Sequence, residues 1–268
     1  MHHINRLLVY LNKRPQMSSI NFPRTYQLNQ EHENIKDRAA QILGRYFKDP
    51  LLISFNETVK SVTFTSERLL PITKNRARVM LLFSNPHPHS VQQGMFLSPS
   101  TTGQENLFWP VMHDAGWLPI PKADRTPEKL REICINVEYD GPFEFIFYCY
   151  YAFPTNYPED ICKIFGKEYF HREIEPEAMN EFRKTVQDNN VKAVVTFNKG
   201  VFNLVSNDRV DSYIHRLQAR ELIRSRIAGI DSAIPIFLTY PTGWRYRKGY
   251  MQLRTSNLDE IRKAICYT

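Results

Sequence analysis

The chain has 268 residues, of which 42% are hydrophobic and 24% charged, so it can bury a core without disulfides or metals. Its four cysteines show no zinc or iron–sulfur spacing, and no apolar stretch approaches the roughly 20 residues of a membrane span. The first residues also lack the charged-then-apolar order of a secretory signal. These features argue against a membrane protein and a disulfide scaffold, and they predict a cytoplasmic protein with reduced thiols.

The charge is positive and uneven. The formal net charge is +7, and eleven Lys or Arg residues face six Asp or Glu residues from position 201 onward. Such an excess favours a polyanionic partner such as DNA or RNA. Because many basic proteins bind no nucleic acid, charge alone leaves the partner open.

The predicted elements alternate between helices and strands. The N-terminal part contains, in order, a short helix over 5–13, a Pro- and Ser-containing link over 15–23, a helix over 31–47 and an alternating strand over 59–65. The remainder contains a strand over 78–83, a long polar loop over 85–104, a helix over 106–115, an aromatic strand over 143–151, a helix over 176–189, a strand over 191–197, a helix over 199–205, a strand over 234–239 and a helix over 257–266.

This alternation predicts a three-layer α/β/α sandwich with a mainly parallel central sheet. We expect residues 1–75 to form an N-terminal helical extension packed on the core, and residues 76–268 to form the main domain. The loop over 85–104 is long for a compact domain, and loops of that length are usually functional.

Two of the buried strands end in Pro-containing polar turns. One strand leads into Ser84-Asn85-Pro86-His87, and the other into Tyr240-Pro241-Thr242-Gly243. The carboxyl ends of parallel strands meet at one edge of a sheet, where such folds bind ligands. The sequence therefore predicts that the two turns lie together at a binding site.

The residues around these turns follow an order that is known elsewhere. Gly94 lies nine residues after Asn85, the run Asn106-Leu107-Phe108-Trp109 opens a helix, and Ala115-Gly116 ends it. This order resembles the first motif region of the uracil-DNA glycosylase superfamily, most closely the mismatch-specific uracil/thymine-DNA glycosylase branch. There a strand ends in G-I-N-P-G and N-R-F-W opens the next helix. That branch's second motif, N-P-S-G-L-S-R, is similar to residues 240–247, and the resemblance covers about residues 78–266.

The resemblance implies a uracil-DNA glycosylase-like core and a set of site residues. Asn85 would orient a water molecule, because an amide has no usable proton affinity and cannot act as a general base. His87 would assist it, and the phenol of Tyr240 would donate to the leaving base. The substrate-binding positions implied are Pro86, Met95, Phe96 and Asn106.

Each of these assignments has a structural alternative. His87 and His89 are equally compatible with ordinary loop histidines, and a metal site at this pair lacks a third ligand nearby. Met95 and Phe96 fit side chains that plug the loop onto the core. Tyr240 fits the last packed residue of a strand. We expect no metal and no cofactor.

The second turn predicts the DNA-contacting loop. Trp244 stands where the family inserts an apolar wedge into the base stack, and such a wedge offsets part of the unstacking cost. Arginine and lysine side chains suited to phosphate contacts follow directly after Trp244. The predicted DNA-binding residues are Thr242, Gly243, Trp244, Arg245, Arg247 and Lys248.

Two departures from the family pattern bear on the substrate. The family's Gly before Asn-Pro is replaced by Ser84, displaced by one position, and the Gly after it is replaced by His87. That second Gly lets backbone approach the base closely. We therefore expect a monofunctional DNA glycosylase that hydrolytically excises uracil or a modified pyrimidine, such as a hypermodified cytosine of phage DNA. The expected partner is double- or single-stranded DNA, and the expected state is a monomer in the cytoplasm, in repair or in antiviral defence. The alternatives are a DNA or abasic-site binding protein without chemistry and a nucleoside hydrolase.

Overall fold

The central feature of the fold is one mixed β-sheet. The computed structural model describes residues 20–28, 31–230, 233–242 and 250–267. The strands in these ranges are β1 Asn21–Gln27, β2 Ile53–Asn56, β3 Ser61–Leu69, β4 Ala77–Phe83, β5 Phe143–Cys149, β6 Val191–Thr196, β7 Arg224–Arg226 and β8 Pro235–Leu238. Their order across the sheet is β1-β3-β5-β4-β6-β8-β7, and β2 pairs with β3 outside this path.

The middle of the sheet is parallel. Strands β5, β4, β6 and β8 pair in parallel, with Val79 opposite Phe145 on one side and opposite Ala193 on the other. The edges are antiparallel, since β3 pairs with β5 and β7 pairs with β8 in that sense. The sheet is thus mixed and mostly parallel at its centre, as the alternation of predicted elements indicates.

The helices cover both faces of this sheet. They are α1 His32–Leu43, α2 Pro88–Gln93, α3 Phe108–Asp114, α4 Pro127–Asn136, α5 Pro158–Phe165, α6 Lys167–Tyr169, α7 Glu175–Asp188, α8 Lys199–Val205, α9 Ile214–Gln218 and α10 Tyr250–Cys266. Short 3₁₀ helices follow α1 and α3, at Gly44–Lys48 and Lys122–Asp124, and a π-helical turn, Phe170–Ile174, joins α6 to α7. The predicted α/β class is confirmed, and the helix layers are consistent with a three-layer sandwich.

The alternation of side chains along the strands creates two separate core layers. Met80 and Leu82 of β4 pack in one layer with α1, α5, α7 and α8. Leu81 and Phe83 of the same strand pack in the other layer with α3, α4 and α10. Since β4, β5 and β6 are covered on both faces, they read as continuous apolar runs, which is typical of parallel strands in α/β proteins. We call the second layer, built on α3, α4 and α10, the α3–α10 layer.

The N-terminal part differs from the predicted helical extension. Besides α1, residues 20–69 contribute β1, β2 and β3, and β3 joins the main sheet through β5. Pro23 lies inside β1 at the sheet edge, where a missing N–H is tolerated. The start of β1 therefore falls within the segment over 15–23 that was predicted as a Pro-containing link. The described part of this segment therefore combines strands and helix in place of helix alone, and the division at residue 75 stays a prediction. The helix predicted over 5–13 lies outside the described residues.

Several element boundaries also differ from the sequence predictions. The long loop over 85–104 contains α2, and the C-terminal helix begins at Tyr250, ahead of the predicted start at Asn257. Helices α4 and α5 were not predicted, although Pro occupies the first turn of each. The remaining predicted strands and helices of residues 78–266 agree with the structure within a few residues.

Candidate active site

A cavity of about 210 Å³ opens at the carboxyl ends of β4, β5, β6 and β8. Strand β4 comes first in the chain among the parallel strands, β5 lies on one side of it, and the chain then crosses to β6 on the other side. Such a reversal of strand order is the switch point at which α/β sheets bind ligands. The volume is below the roughly 300–1,000 Å³ of sites for drug-sized ligands, so the cavity suits a single heterocyclic ring.

The two predicted turns meet at this cavity. Ser84, Asn85 and His87 of the turn after β4 line it, and so do Pro241 and Thr242 of the turn after β8. Phe96 from the loop after α2 forms part of its wall. The pairing of the two strand ends, predicted from their shared polar turns, is thus present in the structure.

Asn85 is held in one orientation by the loop that follows β5. Its Nδ2 donates to the carbonyl of Thr155 at 2.7 Å, to the Thr155 hydroxyl at 3.0 Å and to the carbonyl of Pro86 at 3.1 Å. Its Oδ1 accepts from Ser84 Oγ at 3.0 Å, and a carbonyl oxygen has a second lone pair. The bonds from Nδ2 to Thr155 fix the orientation of the amide, and Oδ1, its only acceptor, has a lone pair for a water molecule in the cavity.

Stacked aromatic rings form the wall of the cavity on the side of the α3–α10 layer. The rings of Phe83 and Phe197 lie parallel with centroids 5.4 Å apart, and Phe96 lies 5.6 Å from Phe83. Phe83 and Phe197 occupy equivalent places at the ends of the adjacent strands β4 and β6. Both residues line the cavity and provide an apolar surface next to the polar groups, which is the usual composition of a ligand site.

Glu67 is a cavity residue that the sequence analysis missed. It lies on β3 with a side chain that is only 3% exposed, and its Oε2 has no hydrogen-bond partner among the described residues. Burial raises the pKa of this carboxyl well above its ordinary value. The available signal was one glutamate in the strand Ser61–Leu69, at a position on the same face as Leu69 where alternation calls for an apolar residue.

Asn198 is a second missed residue. It follows Phe197 at the end of β6, as Asn85 closely follows Phe83 at the end of β4. Its Oδ1 caps α8 by accepting from Val201 N at 3.0 Å. The side-chain nitrogen of an asparagine carries two N–H donors. Within the described part of the chain, neither N–H of Asn198 donates a hydrogen bond. The side chain lines the cavity, so these donors are available to a ligand carbonyl.

His87 combines a structural and a chemical position. Its Nδ1 accepts from the backbone N–H of His89 at 3.3 Å, which caps the start of α2. Desolvation, with a smaller contribution from His89, lowers the pKa of His87. The ring is therefore neutral at pH 7, and with Nδ1 accepting it carries its proton on Nε2. In this tautomer His87 is a hydrogen-bond donor at the cavity and not a base.

Tyr240 does not line the cavity that Asn85 lines. Strand alternation places Tyr240 with Leu238 in the layer opposite to Phe237, and its ring meets Tyr250 edge-on at 5.3 Å. Burial raises its pKa to about 12, and its hydroxyl has no partner within the described part of the chain. It lines a separate narrow space that shares Phe197, Pro241 and Thr242 with the cavity. The packed-residue alternative thus describes its place.

The other predicted substrate-binding residues have structural positions. Pro86 is buried, and its carbonyl accepts from Thr155 N at 3.1 Å. Met95 is fully buried in the α3–α10 layer. Asn106 Oδ1 accepts from Phe108 N at 3.0 Å at the start of α3. These three residues position the neighbours of the cavity, and none of them lines it.

The predicted DNA-binding loop falls mostly outside the described residues. Thr242 lines the cavity, and the chain runs from it directly into that loop. The positions outside the described residues are Gly243, Trp244, Arg245, Arg247 and Lys248.

A larger cavity lies between the end of α3 and α10. Its volume is about 680 Å³, and its lining includes Asp114, Gly116, Asp259 and Arg262. None of the predicted site residues lines it, and Arg262 is already paired with Asp259. Because both predicted turns line the smaller cavity, we place the candidate site there.

One group of three side chains among the described residues has the spacing of metal ligands. His32, Glu33 and Glu57 have potential ligand atoms within 4.8 Å of one another. The ammonium groups of Lys36 and Lys60 pair with these carboxylates, Lys60 at 3.4 Å from Glu33. The two lysines occupy the position that a cation would take, and we assign the group no metal.

No protein-family model matches the chain, and no curated protein is significantly similar to it. The likeness to uracil-DNA glycosylases accordingly stays a prediction from the motifs. Within the described ranges, no helix is both long enough and apolar enough to cross a membrane.

Proposed function

We propose that this protein is a monofunctional DNA glycosylase of the uracil-DNA glycosylase type, which flips a pyrimidine out of DNA and hydrolyses its glycosidic bond. The observation that carries the proposal is the ring-sized cavity at the switch point, with Asn85, Asn198 and Glu67 beside stacked phenylalanines. Such a cavity admits a base only after the base has left the helix.

Each step of the reaction has a candidate group. Asn85 Oδ1, fixed by Thr155 and Ser84, accepts a hydrogen bond from the water that attacks C1′ of the sugar. The unused amide donors of Asn198 and the Nε2–H of His87 bind carbonyl oxygens of the base. Donors that stabilise charge developing on a leaving group are a large part of many catalytic effects.

The substrate class follows from size and polarity. A cavity of about 210 Å³ fits a pyrimidine better than a complete nucleotide, so sugar and phosphates lie outside, against the turn at Pro241 and Thr242. Ser84 and His87 line the cavity, and His87 stands where close backbone approach would require a glycine. Their side chains shape the pocket for uracil or a modified pyrimidine. The basic loop after Thr242 supplies the DNA contact in this proposal.

Base release from oligonucleotides tests the proposal. Duplexes and single strands with uracil, 5-hydroxymethylcytosine or glucosylated cytosine are incubated with the protein, and alkali then cleaves at abasic sites. We expect cleavage at one of these bases, at least 100-fold reduced in Asn85→Ala, because loss of one positioned polar group costs about that much. Asn189→Ala removes an amide that bonds only the carbonyl of Thr185 at 2.8 Å, and this variant should keep full activity.

The commitment of Asn85 Nδ2 to Thr155 favours one second candidate, a protein that binds abasic DNA without chemistry. Under that candidate the protein binds abasic duplexes tightly, releases no base from any substrate, and binds equally well as Asn85→Ala. Base release by the wild type that depends on Asn85 rejects it.

A further inference from the structure

We infer that Glu67, in its neutral form, is the proton donor to the leaving pyrimidine, an inference that rests on the proposed glycosylase function. Glu67 was absent from the motif comparison and is assigned here from its place in the fold. It lies on the antiparallel strand β3, where the register with β5 sets it beside Cys149 at the carboxyl edge of the sheet. It is therefore the one carboxyl group among the described residues that line the cavity.

Glu67 lines the cavity, and its Oε2 is buried without a hydrogen-bond partner among the described residues. Only 3% of the residue is exposed, so this oxygen is satisfied neither by solvent nor by a described protein group. Buried polar groups nearly always have partners, and an exception in a native structure asks for a reason. A ligand that supplies the missing hydrogen bond is such a reason at a cavity wall.

The groups facing Glu67 leave it neutral. The other titratable residues that line the cavity are Cys149 on β5 and His87 at the start of α2. Burial raises the pKa of the Cys149 thiol, and desolvation lowers the pKa of His87, so both are uncharged at pH 7. Arg68 follows on β3 but lies over the ring of Phe22 at 5.0 Å, on the other face. Because no cation among the described residues lines the cavity beside it, the buried carboxyl retains its proton.

A neutral carboxyl group complements the edge of a pyrimidine. It presents an O–H donor next to a C=O acceptor, and both uracil and cytosine carry an adjacent donor and acceptor on the edge used for base pairing. One bidentate contact therefore reads either base, whereas an ionised carboxylate would offer acceptors alone. The ligand class is a pyrimidine with such an edge.

The same proton serves the bond cleavage. As water attacks C1′, the C1′–N1 bond breaks and its electron pair passes to the base, which takes the Glu67 proton at the oxygen or nitrogen that gathers this charge. The attacking water loses one proton when its oxygen bonds to C1′, and that proton restores the neutral carboxyl group through solvent. A positioned general acid typically contributes about 10²–10⁴-fold to a rate.

Single-turnover rates of Glu67→Gln across pH test the inference. The glutamine keeps the size, one donor and one acceptor, but it cannot give up a proton. We expect its rate on uracil or cytosine substrates to fall by about 100-fold or more at neutral pH. The wild-type rate should decline as alkaline pH ionises Glu67, and the variant should lose this decline. Glu144→Gln, a buried glutamate outside the cavity, should keep the wild-type rate and profile.

The leaving group provides a second test. 5-Fluorouracil departs readily as an anion, so its release should depend on Glu67 at least tenfold less than release of uracil or cytosine does. Infrared spectroscopy supplies a readout apart from activity, since the carbonyl stretch of a protonated acid should appear in the wild-type spectrum at pH 7 and vanish in Glu67→Gln.

The outcomes separate the two proposals. If the wild type releases no base from any substrate, the glycosylase function is rejected and this inference with it. The wild type could be active while Glu67→Gln keeps the wild-type pH profile and slows the release of 5-fluorouracil as much as that of uracil or cytosine. In that case only the role of Glu67 is rejected. Persistence of the alkaline decline in Cys149→Ala supports Glu67 as its source, and loss of the decline there contradicts it.

Discussion

Each end of the central sheet contains a buried glutamate, and the two carboxyl groups differ in their hydrogen bonding. Glu144 lies near the amino end of β5, fully buried, and its Oε1 accepts from the backbone N–H groups of Lys74 and Arg76. Its Oε2 accepts from Arg78 Nε at 3.1 Å. Glu67 lies at the carboxyl end, equally buried, and its Oε2 has no partner within the described residues.

The pKa values of the two groups diverge accordingly. Burial acts to raise both, but the N–H donors of Arg76 and Lys74 and the guanidinium of Arg78 hold the pKa of Glu144 below its ordinary value. Burial alone acts on Glu67 and raises its pKa. The comparison teaches that the amino end uses its buried charge for stability, whereas the carboxyl end leaves polar groups unsatisfied for a ligand.

The largest effect on stability should come from removing the hydrogen-bonded carboxyl group of Glu144 at the amino end of the sheet. Glu144→Ala leaves two backbone N–H groups and a guanidinium without their acceptor, and we expect a loss of about 3 kcal/mol in the free energy of unfolding. Urea denaturation measures this, with exposed Glu138→Ala as a control that changes stability by less than about 0.5 kcal/mol. A loss below about 1 kcal/mol in Glu144→Ala would show that the amino end does not depend on this pairing.

At the carboxyl end, we expect activity to suffer more than stability. Thr155 is fully buried; its hydroxyl accepts from Asn85 Nδ2 and donates to the carbonyl of Tyr157 at 2.9 Å. Thr155→Val should lower stability by about 1 kcal/mol and base release by roughly tenfold, because Asn85 loses part of its support. Thr155→Ser keeps the hydroxyl and should restore activity. Equal loss in both variants would indicate a packing effect in place of positioning.

Glu67 and Glu144 should change the free energy of unfolding with pH in opposite directions. Since the pKa of folded Glu67 is raised above its ordinary value of about 4.5, stability is lost as pH rises from that value through the folded pKa. The lowered pKa of Glu144 gives stability that is lost as pH falls through its folded pKa.

Thermal unfolding of the glutamine variants from pH 3 to 9 measures both effects. Relative to the wild type, Glu67→Gln should gain stability toward high pH, and each tenfold change in proton affinity corresponds to about 1.4 kcal/mol. Glu144→Gln should instead lose stability at neutral pH and approach the wild type in acid. Parallel curves for Glu67→Gln and the wild type would mean that Glu67 is not held neutral by the fold.

The last prediction concerns stability alone, in the loop that carries Phe96 to the cavity. Gly94 ends α2 with a φ of 67°, and a Cβ there would meet Arg131 Nη1 at 2.8 Å. Gly94→Ala should cost about 1 kcal/mol from the backbone strain, with a further few tenths for moving Arg131. Gly103 has a φ of 77° with open space around it, so Gly103→Ala isolates the strain. A larger loss at Gly103 than at Gly94 would contradict this order.

Much of the framework was predictable from local patterns. The apolar run ending at Asn85, the run before Tyr240 and the alternation with helices predicted the parallel strands and the meeting of their turns. These features follow from covalent order and side-chain periodicity, which act over a few residues. Strand β1 was not predicted, because it contains Pro23, which only its edge position tolerates. The residue pattern of β3 did not indicate that this strand would extend the sheet beyond β5.

The sequence by itself determined the α/β class, the switch-point location and Asn85 as a strand-end amide. Tertiary structure decided which neighbours each polar group meets. It set Tyr240 in the opposite layer, tied Asn85 to Thr155 across 70 residues, and brought Glu67 to the cavity without a partner. Burial and hydrogen bonding depend on contacts between distant segments, so a single buried glutamate became a candidate proton donor only once β3 was seen beside β5.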